Sequence, residues 1–239
     1  KKYVDYFDFD NFEKFDTSFD VLIIDEAQDY SSLFWPTFDL LTENKKWFLF
    51  YDTRQAITHR DWELPEINNK SWTTLPLTKY LRSTKEISQH VLKVYGDEYS
   101  ASAISGLDPQ YIQLKNKGWE EGLDALVQVL TGLFETEKYH ASQVQILIPH
   151  SRYLEEVEQA AYKPNLKVGA IKEVKIESIH KFKGLESEVV VMILPNVESL
   201  ESETTTDIKS LIYVGMSRAT SLLIIIGDQE VKDLSNWSS

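Results

Sequence analysis

The sequence predicts an α/β protein built on a mostly parallel sheet, and three observations carry that expectation. Short β-branched or aromatic runs alternate with helical stretches from one end to the other. Several of the strand runs are apolar throughout, as happens when helices cover both faces of a sheet. Of the 239 residues, 42% are hydrophobic, enough to bury a sizeable core in one large domain or one and a part.

The predicted strands are 21–24, 47–51, 111–114, 143–148, 174–178, 189–193 and 222–226, and the predicted helices are 83–95, 120–135, 152–162 and 208–218. The polar, aperiodic segment 61–75 reads as a junction. The acidic, Ser/Thr-rich segment 195–207 reads as a mobile surface loop. The chain has no cysteine, which excludes a disulfide scaffold or thiolate metal site, and no apolar run approaches the roughly 20 residues that cross a bilayer. A soluble, cytoplasmic protein with no membrane partner is expected. The net charge of −13 opposes general phosphate binding, but the acid is patchy and leaves room for a local basic groove.

Val21-Leu22-Ile23-Ile24 runs straight into Asp25-Glu26-Ala27-Gln28-Asp29. Ligands gather at the carboxyl ends of parallel strands, so this acid pair is delivered to a site. Two adjacent carboxylates can divide the work of nucleotide hydrolysis. Asp25 would hold Mg²⁺ through its water shell, and Glu26 would orient and deprotonate the attacking water. A second strand ends in Asp52-Thr53-Arg54-Gln55, where Gln55 could bridge the γ-phosphate and that water. The other reading of each is an ordinary strand followed by a polar turn.

Arg82 stands just before a predicted helix, with Ser83 or Thr84 as its N-cap, and Arg218 closes another helix before the last strand. An arginine near a transferring phosphoryl group stabilises its equatorial oxygens strongly, whereas most lone arginines form surface ion pairs worth little. Between them, Ser178-Ile179-His180-Lys181-Phe182-Lys183-Gly184-Leu185-Glu186 suits a loop meeting a phosphate backbone on one side and a nucleotide on the other. A phosphate-cradling Gly-x-x-x-x-Gly-Lys-Ser/Thr loop is absent: none of the nine glycines is followed by lysine.

In order, these segments resemble the later motifs of the UvrD/Rep group of superfamily 1 helicases. IIDEAQD is similar to motif II, FYDTRQAI to motif III, LTKYLRST to motif IV, SIHKFKGLE to motif V and LIYVGMSRA to motif VI. The form of motif III looks most like compact helicase-like proteins joined to nuclease-related domains. The resemblance implies RecA-like (P-loop NTPase) domains with ATP and Mg²⁺ as cofactors. Residues 1–66 would be the end of the first such domain and 67–239 a complete second one. It implies catalytic roles for Asp25 (also the metal ligand), Glu26, Gln55, Arg82 and Arg218, and nucleotide contacts for Gly184, Glu186 and Gln28. Ser178, His180, Lys183 and Trp62 would meet or couple to DNA, single-stranded or at a junction.

This chain, which begins Lys-Lys, is expected to be part of a longer protein whose N-terminal RecA-like half brings the phosphate loop in cis. Alone it is expected to fold and be inactive. Three departures stand out: Tyr80-Leu81 replaces the common Asn-Tyr, Thr58 and Arg60 occupy base-stacking positions, and residues 85–177 leave no room for a large accessory insertion. Two functions remain open. One is an ATP-dependent helicase or translocase; the other is a nucleotide-gated regulatory module of a nuclease or of a DNA-repair or defence complex. A catalytically dead scaffold is disfavoured by the intact acids and arginines.

Overall fold

The computed structural model describes residues 19–42, 45–57, 62–67, 71–96, 100–116, 118–161, 174–200 and 208–237. The chain divides into two compact units, Lys1–Thr74 and Leu75–Ser239.

In the first unit, β1 (Val21–Ile24) pairs in parallel with β2 (Lys46–Leu49), Val21 opposite Lys46 and Ile24 opposite Leu49. Helix α1 (Trp35–Leu41) connects them; Pro36 sits in its first turn, where a missing N–H costs nothing. The core is largely aromatic: Trp35 and Trp47 are buried with Ile24, Ala27 and Ile67, and Tyr30, Phe38 and Trp72 pack around them. The Trp47 indole N–H donates to Thr42 Oγ1 (2.6 Å), so the buried ring keeps its hydrogen bond. Side chains alternate across a strand, and the opposite face, with Val21, Ile23 and Phe48, is exposed.

The second unit holds β3 (Gln110–Gln113), β4 (Val144–Ile148), β5 (Lys175–Ser178), β6 (Ser187–Leu194) and β7 (Ala219–Gly227). They form one five-stranded sheet in the order β3-β7-β6-β4-β5, every pairing parallel. Val189, Val191, Ile193, Leu222, Ile224 and Ile226 face a core with Leu126 and Leu130 of α3 (Trp119–Thr131) and Val157 of α4 (Leu154–Ala161). On the other face lie α2 (Lys85–Lys93), α5 (Ile179–Phe182) and α6 (Ile208–Met216). A Cβ at Gly215 would collide with Met192 of β6, so this glycine lets α6 press onto the sheet. The final helix, α7 (Gln229–Leu234), is capped by Asp228, whose Oδ1 accepts the Val231 N–H (2.9 Å). Helices on both faces of a parallel sheet are the architecture the apolar strand runs predict.

Some boundaries differ from expectation. Helix α2 starts at Lys85, with Thr84 in the cap position but making no side-chain cap bond. Helix α3 runs on into a π turn, Gly132–Thr136. Helix α4 follows a 3-10 turn, Ser151–Tyr153, and Tyr162 lies outside the described residues. The start of the 195–207 segment is not a free loop: Ser199 and Leu200 are buried, and Ser199 closes a turn onto Asn196. Residues 201–207 lie outside the described set.

Candidate functional site

In the first unit the acids follow β1 directly. Asp25 is exposed, and its Oδ1 accepts the Glu26 backbone N–H (2.9 Å). Glu26 sits at φ 50, ψ 44, a left-handed conformation uncommon for a residue with a side chain. Such strain persists where its surroundings fix it. Two backbone bonds fix Glu26 from either side: Ala27 N–H donates to Phe50 O (2.9 Å), and Phe50 N–H to Ile24 O (2.9 Å).

Gln28 is fully buried. Its amide nitrogen donates to Glu26 Oε2, and its Oε1 accepts the Asp52 backbone N–H (3.1 Å). Asp52 then caps the next turn, taking the Arg54 N–H on Oδ1 (3.0 Å) and the Gln55 side-chain amide on Oδ2 (2.9 Å). A continuous hydrogen-bonded chain thus joins Glu26, Gln28, Asp52 and Gln55. Asp52 is a member that sequence reading passed over, although an Asp two residues before Arg54 is a readable capping signal.

In the second unit, Arg82, Glu186 and Arg218 converge. Arg82 Nε pairs with Glu186 Oε2 (3.3 Å), with both side chains well exposed. Glu186 belongs to the turn 183–186, where Gly184 has φ 82, a value a side chain would resist. Arg218 grips the same turn from the other side. Its Nη1 donates to Leu185 O (3.3 Å), and its backbone O accepts the Ser187 N–H (3.0 Å). Arg218 is only 1% exposed. Its Nε donates to Val214 O (3.0 Å) at the end of α6, one of the carbonyls a helix leaves open.

The motif that reads as one loop is divided between two ends of the sheet. Ser178 ends β5 and caps α5 by accepting the Lys181 N–H, while Gly184 to Glu186 lie where β6 begins. At the first of these ends, the His180 ring stacks on His150 (5.7 Å between centroids, 25° between planes). Burial, and then the neighbouring His150, push the His180 imidazole below its ordinary pKa. Lys183 is half-buried at the end of α5.

Acids and a glutamine on one hydrogen-bonded chain, and two arginines gripping one turn, fall on the segments that resemble helicase motifs. The family model of the UvrD-like helicase C-terminal domain matches residues 2–230. The chain belongs to this UvrD-like helicase family. Among solved structures, the C-terminal domain of a possible DNA helicase from Lactobacillus plantarum WCFS1 is similar over 65% of this chain and 91% of that one, at 19% identity and a TM-score of 0.47. The PRRSV helicase is similar over 87% of this chain and 34% of that one, at 15% identity and a TM-score of 0.44. No curated protein matches the chain.

In this UvrD-like domain the Trp62 ring is half-buried and lies 4.7 Å from that of Tyr51, and among the described residues its indole nitrogen has no hydrogen-bond partner. Thr58 and Arg60 lie outside the described residues. Mg²⁺ commonly takes one or two carboxylates and completes its shell with water and phosphate oxygens. The exposed Asp25 carboxylate fits that demand, and no group of three or more metal-ligating side chains occurs among the described residues. No described helix is long and apolar enough to cross a membrane.

Proposed function

We propose that this chain is the acid-bearing and coupling part of an ATP-dependent DNA helicase or translocase. Its phosphate-gripping loop would come from the N-terminal RecA-like half of the same protein. The observation that carries the reading is the chain from Glu26 through Gln28 and Asp52 to Gln55. It ties the group that would activate water to the group that would sense the terminal phosphate, so neither moves independently.

Glu26 orients the attacking water and accepts its proton. Gln55, held by the Asp52 carboxylate, offers its amide to the γ-phosphate and the water. Asp25 would hold a hydrated Mg²⁺, which would supply neutralisation of charge on the phosphate oxygens. Arg82 stabilises charge that develops in the transition state. Arg218, expected to do the same, is 1% exposed with its guanidinium bonded to Val214, Ser217 and Leu185, so its part is to hold the turn that carries Glu186, the partner of Arg82. Gly184 and Glu186 serve the nucleotide side of their turn, while Ser178, His180 and Lys183 couple it to DNA. Alone, without the phosphate loop, the chain would be inactive.

The test is DNA-stimulated ATP hydrolysis by the full-length protein. Glu26→Gln is expected to lower kcat by about 10²–10⁴-fold, the usual contribution of a positioned general base. If the full-length protein hydrolyses no nucleotide with any nucleic acid, the reading is wrong. One observation favours a second reading, a nucleotide-gated module steering a nuclease or a repair or defence complex. The Trp62 ring lies 4.7 Å from that of Tyr51, and with that side covered it would offer DNA less surface to stack on. Turnover without directional movement on DNA would select that second reading.

A further inference from the structure

We propose that Ser217 is the positioning residue for Arg218, and that its hydroxyl ties the end of α6 to the turn 183–186. The inference deepens the arginine role proposed above and rests on it.

Ser217 is 2% exposed, and its hydroxyl is used in both directions. It donates to Val214 O (2.8 Å) and accepts from Arg218 Nη2 (2.8 Å) and Nε (3.3 Å). Donation to the carbonyl orients the oxygen lone pairs toward the guanidinium, so one hydroxyl fixes the plane of the fork. With Nη2 and Nε fixed, Nη1 is aimed at Leu185 O (3.3 Å). Leu185 sits between Gly184 and Glu186, and Glu186 holds Arg82 (3.3 Å). The hydroxyl therefore ties the end of α6, through Arg218, to the turn before β6, whose Glu186 pairs with Arg82. A methyl group in its place would remove the Nη2 and Nε bonds to the Ser217 hydroxyl inside a buried site and loosen the side chain's fixed rotamer.

Exchange of the Arg218 Nε–H, followed by ¹⁵N–¹H correlation and assigned with Arg218→Lys, measures the positioning directly. The wild-type chain and Ser217→Thr should show slow exchange. Ser217→Ala should exchange at least about tenfold faster, more than its loss of global stability in urea denaturation accounts for, as expected for a local opening. Protection kept in Ser217→Ala, or lost equally in Ser217→Thr, overturns the proposal. In the full-length protein, Ser217→Ala should lower kcat for ATP about 10- to 100-fold, the scale of a small misplacement, with KM unchanged and activity restored by Ser217→Thr. Unchanged kcat overturns the link to hydrolysis. A wild-type protein with no hydrolysis overturns the proposed function instead, and the exchange measurement still decides whether Ser217 positions Arg218.

Discussion

Gln28 shows how much a single buried amide can organise. It accepts one backbone N–H from the second strand's turn and donates to the Glu26 carboxylate. Gln28→Leu keeps the volume but orphans the Asp52 N–H, so urea denaturation should show a loss of about 1–3 kcal/mol, the cost of an unmade buried hydrogen bond. ATP hydrolysis by the full-length protein should fall with it, because Glu26 loses its tether. Trp62 makes the opposite case. Among the described residues its buried indole nitrogen has no hydrogen-bond partner, and its ring rests on Tyr51. Trp62→Phe should leave stability unchanged or raise it by up to about 1 kcal/mol, since an unsatisfied donor is removed. Affinity for single-stranded DNA should not change; a marked fall in a fluorescence titration would restore the stacking role. The identities of the acids and arginines were legible because strand-end carboxylates and motif order are linear features. The burial of Arg218 was not. A guanidinium usually remains exposed, and the three oxygens that receive it come from residues 185, 214 and 217, the first of them brought near only by the fold.

At the scale of elements, the last helix and its tail fasten α2 to β3. Asn236, at φ 50, donates to Lys93 O (2.7 Å) and Val94 O (3.3 Å), satisfying carbonyls at the end of α2. Trp237 stacks on His90 (4.1 Å, 22°) and lies 5.6 Å from Tyr111. Trp237→Ala should cost about 2 kcal/mol in chemical denaturation, less than the 3–5 of a wholly buried aromatic because this ring is only half-buried. Burial holds the His90 pKa below its ordinary value, with Lys93 adding to the effect. The unfolded chain therefore binds a proton that the folded chain resists. Stability should be full above about pH 6.5 and decline as pH falls below it. His90→Phe, which keeps a ring against Trp237, should flatten that decline without abolishing it, because His180 is shifted in the same direction. The sheet was legible from its apolar runs: β1 matches its predicted limits, and β6 and β7 only extend theirs. The short helices were not. Helix α1 hides its seven residues in an aromatic run, and its only signal is Pro36 in the first turn. Helix α7 announces itself only through the capping Asp228.

The whole molecule holds two cores of unequal strength, and each predicts a different response to denaturant. The second unit buries both faces of a five-stranded sheet, with the central strands β6 and β7 almost wholly enclosed. Among the described residues, the first unit has two strands of four residues, with Val21, Ile23 and Phe48 exposed on one face. Two-stranded sheets are marginal in water, and parallel ones are ordinarily covered on both sides. Native-state hydrogen exchange should therefore resolve two classes. Amides of β4, β6 and β7 should exchange only through global unfolding, and those of β1 and β2 through a cheaper opening that barely depends on the second sheet. Low concentrations of urea should reveal the difference, because an opening that exposes little surface has a shallow denaturant slope. Residues 75–239 expressed alone should then keep the slow class intact. If β1 and β2 instead exchanged with the same free energy and slope as β6, the chain would unfold as one cooperative body and the separation of cores would have no thermodynamic meaning.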